Sequence, residues 1–247
     1  MGRDAVATRA LRTPRAAGIA GILFAVLLTA TLVLVRLAVP GGAGDVRGWL
    51  VDPGRRHLVV LALNLVPFAA IAFLWFIGVV RDRIGEREDR FFATVFLGSG
   101  LLFVAMLFVA SAVTAGFLAD LAGRPGGLHD VSGLGPRIGA LVLHVYAMRM
   151  AAVFTISTAT IGLRTGFLPQ WLAFGGYATA LVLLLAVSVT PWVELLFPVW
   201  ILLVSVDTLV ANFRSRHAAG EPGEPLSGSM RGGAQASGVT VSSREDR

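Results

Sequence analysis

The chain of 247 residues contains no cysteine, and none of its 21 basic residues is a lysine. Without cysteine there are no structural disulfides, thiolate metal sites, cysteine nucleophiles or c-type haem attachments, and the redox compartment cannot be read. The arginine-only basic set is read as the coding bias of a GC-rich genome before any functional demand. Charge of either sign is scarce at 15% of residues, whereas hydrophobic residues reach 55%, too apolar a balance for an ordinary soluble domain. The net charge of +6 does not imply a nucleic-acid partner, because cytoplasmic loops of membrane proteins carry arginine for topological reasons.

What the chain does have is long apolar runs. A hydrocarbon core about 30 Å thick needs roughly 20 apolar residues per helix. Six stretches meet or approach that length: Ile19 to Val39, Leu58 to Val80, Phe91 to Ala119, Ile138 to Gly162, Trp171 to Val189, and Trp192 to Phe213. The short alternating segments of a transmembrane barrel are missing. The expected fold is therefore all-α, a polytopic membrane helical bundle with six transmembrane helices, and the lipid bilayer is its first partner.

Orientation follows from arginines close to the span ends. With the N-terminus inside, the cytoplasmic side holds Arg3, Arg9, Arg12, Arg15, Arg81, Arg83, Arg87, Arg90, Arg164, Arg214 and Arg216. The outer side holds Arg36, Arg47, Arg55, Arg56, Arg124 and Arg137. The excess places both termini in the cytoplasm. The first apolar run is longer than the 7 to 15 residues of a cleaved signal and is read as a retained anchor. Three divisions result: a basic cytoplasmic segment at 1–18, the six-helix domain at 19–213, and from Arg214 to 247 a tail too rich in glycine, serine and proline to fold. The outer loops Pro40 to His57 and Asp120 to Arg137 are glycine-rich and too short for a domain. Three spans plus three would suit an inverted-repeat transporter, yet the halves show no self-similarity.

Polar residues inside the spans are the candidates for function. Arg149 lies mid-span, where a charge costs roughly 2.5–3.5 kcal/mol and calls for a partner. Asp207 in the last span is the expected counter-ion, although the two Cα levels differ by about 7 Å. Ala140, His144, Ala147, Ala151, Thr155, Thr158 and Gly162 form a small-residue stripe suited to close helix contact, with Arg149 on nearly the opposite side. Helix four must then bury two faces and be central. His144 is the only histidine well within a span. A bis-histidine haem would need a second, so no cofactor is expected, and a hydrogen-bonded packing role is the ordinary reading. Glu194 lies between Pro191 and Pro198, where a broken segment could line a cavity, or where entry at the interface explains the carboxylate equally well. Asn64 sits beside the kink expected at Pro67. Gly98-Ser99-Gly100 is read as a close-approach motif. A serine hydrolase would need a base within reach of Ser99, and His144 is the sole buried candidate. The loop Arg81 to Arg90 interleaves signs, with Glu86 and Arg90 at helical pair spacing. It could dock a cytoplasmic protein partner, as could the outer helix faces.

The runs Phe76 to Phe92 (FIGVVRDRIGEREDRFF) and Gly162 to Trp171 (GLRTGFLPQW) resemble uncharacterised multi-pass integral membrane proteins common in actinobacteria. The resemblance implies a bacterial inner (plasma) membrane location and no activity. Three functions stay in competition: a non-catalytic membrane subunit or regulatory protein, a small-solute or ion transporter using Arg149 and Asp207, and an intramembrane enzyme built on Ser99, His144 or a carboxylate.

Overall fold

A computed structural model of the chain describes residues 13–38, 52–84, 90–123, 134–186 and 191–219. In order these form α1 (Thr13–Ala38), α2 (Pro53–Ile84), α3 (Arg90–Gly123), α4 (Leu134–Leu141), a π-helical segment (Val142–Ala147), α5 (Met148–Thr165), α6 (Gln170–Leu185), a 3₁₀ turn (Pro191–Leu195) and α7 (Leu196–Ala219). No strand occurs among the described residues. Five segments are long and apolar enough to cross a membrane: Gly18–Ala38, Pro53–Arg81, Phe91–Asp120, Gly135–Thr165 and Trp192–Ala211. The sixth helix, α6, has 16 residues, and the expected end of its run at Val189 lies outside the described residues. The protein is an all-α membrane helical bundle.

Helix ends depart from the apolar runs where local chemistry overrides hydropathy. α2 starts five residues before Leu58, because Pro53 suits a first helical position and the Asp52 carboxylate accepts the Gly54 N–H at 2.9 Å. α7 continues past Phe213 to Ala219, since nothing in Arg214–Ala219 breaks a helix before Gly220. The helix thus takes the first six residues assigned to the tail; the remaining 220–247 are outside the described residues, as is the span 85–89 with the Glu86 side of its expected pair. Between α5 and α6, Gly166 adopts the left-handed conformation (φ 71°) that ends helices. Leu168 folds back onto Gly162, whose position tolerates no Cβ without collision with that leucine. Pro169 accepts the N–H groups of Leu172 and Ala173 and opens α6.

α1 packs against α2 and α7, and α5 against α3 and α6. Close approach is sequence-encoded: Gly21 on α1 meets Ser205 and Phe76, and Gly176 on α6 meets the indole of Trp200, whose Nε1 donates to the Leu172 carbonyl at 3.1 Å. The centre is aromatic. Phe73 stands 4.4 Å from Phe24, 5.2 Å from Phe103, 5.0 Å from Phe154 and 6.0 Å from Phe197 between ring centroids, so one α2 side chain touches rings from α1, α3, α5 and α7. All five rings are fully buried. Trp75, Phe68, Phe174 and Leu185 face outward, which in lipid is the solvated direction for an apolar side chain. Ten of the 18 residues of α5 are buried, among them Ala151, Thr155, Thr158 and Gly162 of the small-residue stripe, while Arg149 on the opposite face is half-buried.

Candidate functional site

Glu194 is the most deeply buried charged residue described, its side chain 2% exposed, and it belongs to the 3₁₀ turn that opens α7. The turn has a local cause. Pro198 has no N–H to give the Glu194 carbonyl four residues back, which disfavours a regular α-helical turn over this stretch. The first turn tightens instead, and Glu194 is directed inward rather than to an interfacial position.

Two side chains from distant parts of the sequence meet its carboxylate. Arg36, in the last turn of α1, donates from Nη2 to Oε1 at 3.2 Å. Its charge also suits the negative end of the α1 dipole. His144 contacts the same Oε1 through Nδ1. The other carboxylate oxygen, Oε2, is buried with no hydrogen-bond partner among the described residues. A buried orphan of this kind is uncommon and marks unfilled bonding capacity.

The π segment explains how His144 reaches Glu194. The Met148 N–H bonds the Leu143 carbonyl five residues back, which widens the helix by one residue per turn. Such bulges turn a helix face and recur at functional sites. Downstream, Ala147, Ala151 and Thr155 stay in the bundle core; upstream, Ala140, Leu143 and His144 turn onto the wall of a cavity. That cavity, of about 110 Å³, lies between α1, α2, α3 and α4 and is only partly enclosed. Its walls are mainly leucine, valine and alanine, with Arg36 and His144 as the charged or titratable groups. Thr31 and Thr114 also line it, but their hydroxyls donate to the Leu27 and Ala110 carbonyls of their own helices.

The pairing expected from sequence does not form. Arg149 and Asp207 are both half-buried and share no ion pair or hydrogen bond. α5 meets α7 over only a small contact, because α7 lies mainly along α1 and α6. The axial offset between the two residues therefore finds no close helix pair to absorb it. Asn64 is exposed and donates to the Val60 carbonyl, serving its own kinked helix. Ser99 donates to the Val95 and Phe96 carbonyls, at 2.6 and 3.2 Å. The cavity residue of α3 nearest to Ser99 in sequence is Leu107, eight positions and so about 12 Å along the axis. Ser99 and His144 do not form a nucleophile and base. Among the described residues no group of three His, Asp or Glu side chains is placed to hold a metal ion.

Sequence reasoning named His144 and Glu194 separately and counted Arg36 only as a topological charge. Depth was the signal available. Arg36 lies two residues before the end of α1, Glu194 three after Pro191, and His144 ten after Leu134, and alternating helix directions bring all three to the same end of the bundle. No protein-family model, curated protein or solved structure matches the chain.

Proposed function

We propose that the chain is a non-catalytic multi-pass protein of the bacterial plasma membrane, with both termini cytoplasmic, acting as a membrane subunit or regulatory protein. The observation that carries this reading is that the buried hydroxyls of the interior close on their own helices. Thr155, Ser157, Thr158 and Ser205 each donate to the carbonyl four residues back in their own helix. Beneath the Arg36–Glu194–His144 cluster Phe73 and the four phenylalanine rings around it fill the middle of the bundle. A transporter needs a polar route to both faces. Here such a route would have to pass a dry aromatic layer. An intramembrane hydrolase needs an aligned nucleophile and base, and the hydroxyl of Ser99 is spent on its own helix.

On this reading the cluster is a clamp. It ties the end of α1, the π segment and the start of α7 with charge-assisted bonds that strengthen away from water. A subunit that presents its outer faces to another membrane protein needs that rigidity.

The test is flux. Proteoliposomes carrying the purified chain, loaded with a pH-sensitive dye and challenged with proton and sodium gradients, should leak no faster than empty liposomes. A gradient-driven flux that Glu194→Gln abolishes would overturn the proposal and move the cluster into a transport pathway.

A further inference from the structure

We propose that the cavity beside the cluster is a binding site for the carboxylic-acid head of a membrane amphiphile, with a free fatty acid as its ligand class. Three observations converge. The cavity is walled by apolar side chains of α1, α2 and α3, among them Leu28, Leu32, Val59 and Leu107. His144 stands on the wall with Nδ1 committed to Glu194, and its other ring nitrogen has no partner among the described residues. Glu194 Oε2 is buried and unbonded, so the cluster is not saturated by the described side chains.

The acid head fits this arrangement because it can arrive without charge. A fatty acid can enter from the bilayer as the neutral acid and donate its O–H to the free imidazole nitrogen as a hydrogen bond. No charge is then carried into the apolar site from outside, which is the step that burial makes costly. A phosphodiester head brings a permanent negative charge and no proton, and an ester brings neither.

Size agrees with the head of a single-chain lipid. A dry apolar cavity of roughly 150 Å³ holds a benzene ring, so about 110 Å³ admits a carboxyl group with a few methylenes and excludes a glycerophosphate. The rest of the chain would leave through the open side into lipid. This site is independent of the proposed function: that reading rests on the self-bonded hydroxyls and the aromatic layer around Phe73, and loss of ligand binding would leave the flux result unchanged.

The experiment uses the full chain in phosphatidylcholine nanodiscs with a dansyl-labelled fatty acid as fluorescent probe. Oleic acid should displace the probe saturably from one site, and methyl oleate and phosphatidylglycerol should each be at least tenfold weaker. His144→Phe should weaken oleic acid at least tenfold. Ser111→Phe, which places a ring in the cavity from the α3 wall, should do the same with the unfolding midpoint unchanged, and it carries the test if the His144 variant does not fold. Equal displacement by methyl oleate would reduce the site to apolar partitioning. Equal displacement by phosphatidylglycerol would reduce it to charge attraction. Either result, or wild-type affinity in the Ser111 variant, overturns the proposal.

Discussion

Removing Arg36 should destabilise the bundle more than removing the carboxylate it pairs with, and the reason is geometric. The Glu194 side chain is 2% exposed and the Arg36 side chain 18%. In Arg36→Met the carboxylate keeps its His144 contact but loses its fixed cation, and its short side chain cannot reach water. Taking one partner from a buried pair costs roughly 3–5 kcal/mol, and the surviving histidine places the expectation at about 3 kcal/mol. In Glu194→Gln an oxygen acceptor of the same size remains. Arg36 is long, already partly exposed and near the end of its helix, so its guanidinium can turn outward along its aliphatic stem. The loss is then the difference between charge-assisted and ordinary hydrogen bonds, about 1–2 kcal/mol. Once the carboxylate is gone, removing the guanidinium strands no charge at position 194, so the double variant should be close in stability to Glu194→Gln alone. The coupling energy is then about 3 kcal/mol. Reversible unfolding in mixed SDS and non-ionic micelles, followed by tryptophan fluorescence, measures all four corners of the cycle. A Glu194→Gln variant less stable than Arg36→Met, or additivity within about 0.5 kcal/mol, would refute the clamp.

Two further tests use the same unfolding assay. Phe73→Ala opens a void of about 100 Å³ among five helices, which at roughly 24 cal/mol per Å³ costs about 2.4 kcal/mol; the transfer term is small because both states sit in an apolar medium. Phe68→Ala on the outward face of the same helix, 62% exposed, should cost under about 0.5 kcal/mol, and equal losses at the two positions would show that the aromatic centre is not the core. Arg149→Met and Asp207→Asn should be additive within about 0.5 kcal/mol, whereas a coupling above about 1 kcal/mol would establish the ion pair that the helix arrangement keeps apart.

Much of the fold was legible because lipid imposes a length and a composition on each crossing, and runs such as Phe91 to Ala119 obey both. The small residues of α5 likewise marked the face that it buries. The site was not legible to the same degree, since pairing among buried charges depends on which helices touch. Arg149 and Asp207 are the conspicuous pair in sequence, in two spans that the fold sets apart. Arg36 sits at a span end, where charge is commonplace and reads as topology, and Glu194, though singled out, had no partner in view. What brings them together with His144 is a proline that forbids one hydrogen bond and a helix that carries one residue too many per turn. Both are local irregularities, and hydropathy averages over them.

The brevity of α6 reaches beyond the protein. Sixteen residues rise about 24 Å, some 6 Å less than the hydrocarbon thickness its neighbours span. Trp171 at its start and Leu185 at its end both face outward, so the mismatch is presented to lipid rather than hidden inside the bundle. Lipids along that flank must shorten or tilt to meet it, at a cost of fractions of a kcal/mol per Å. Over its described residues α6 is therefore the flank of the bundle that fits the hydrocarbon thickness least well.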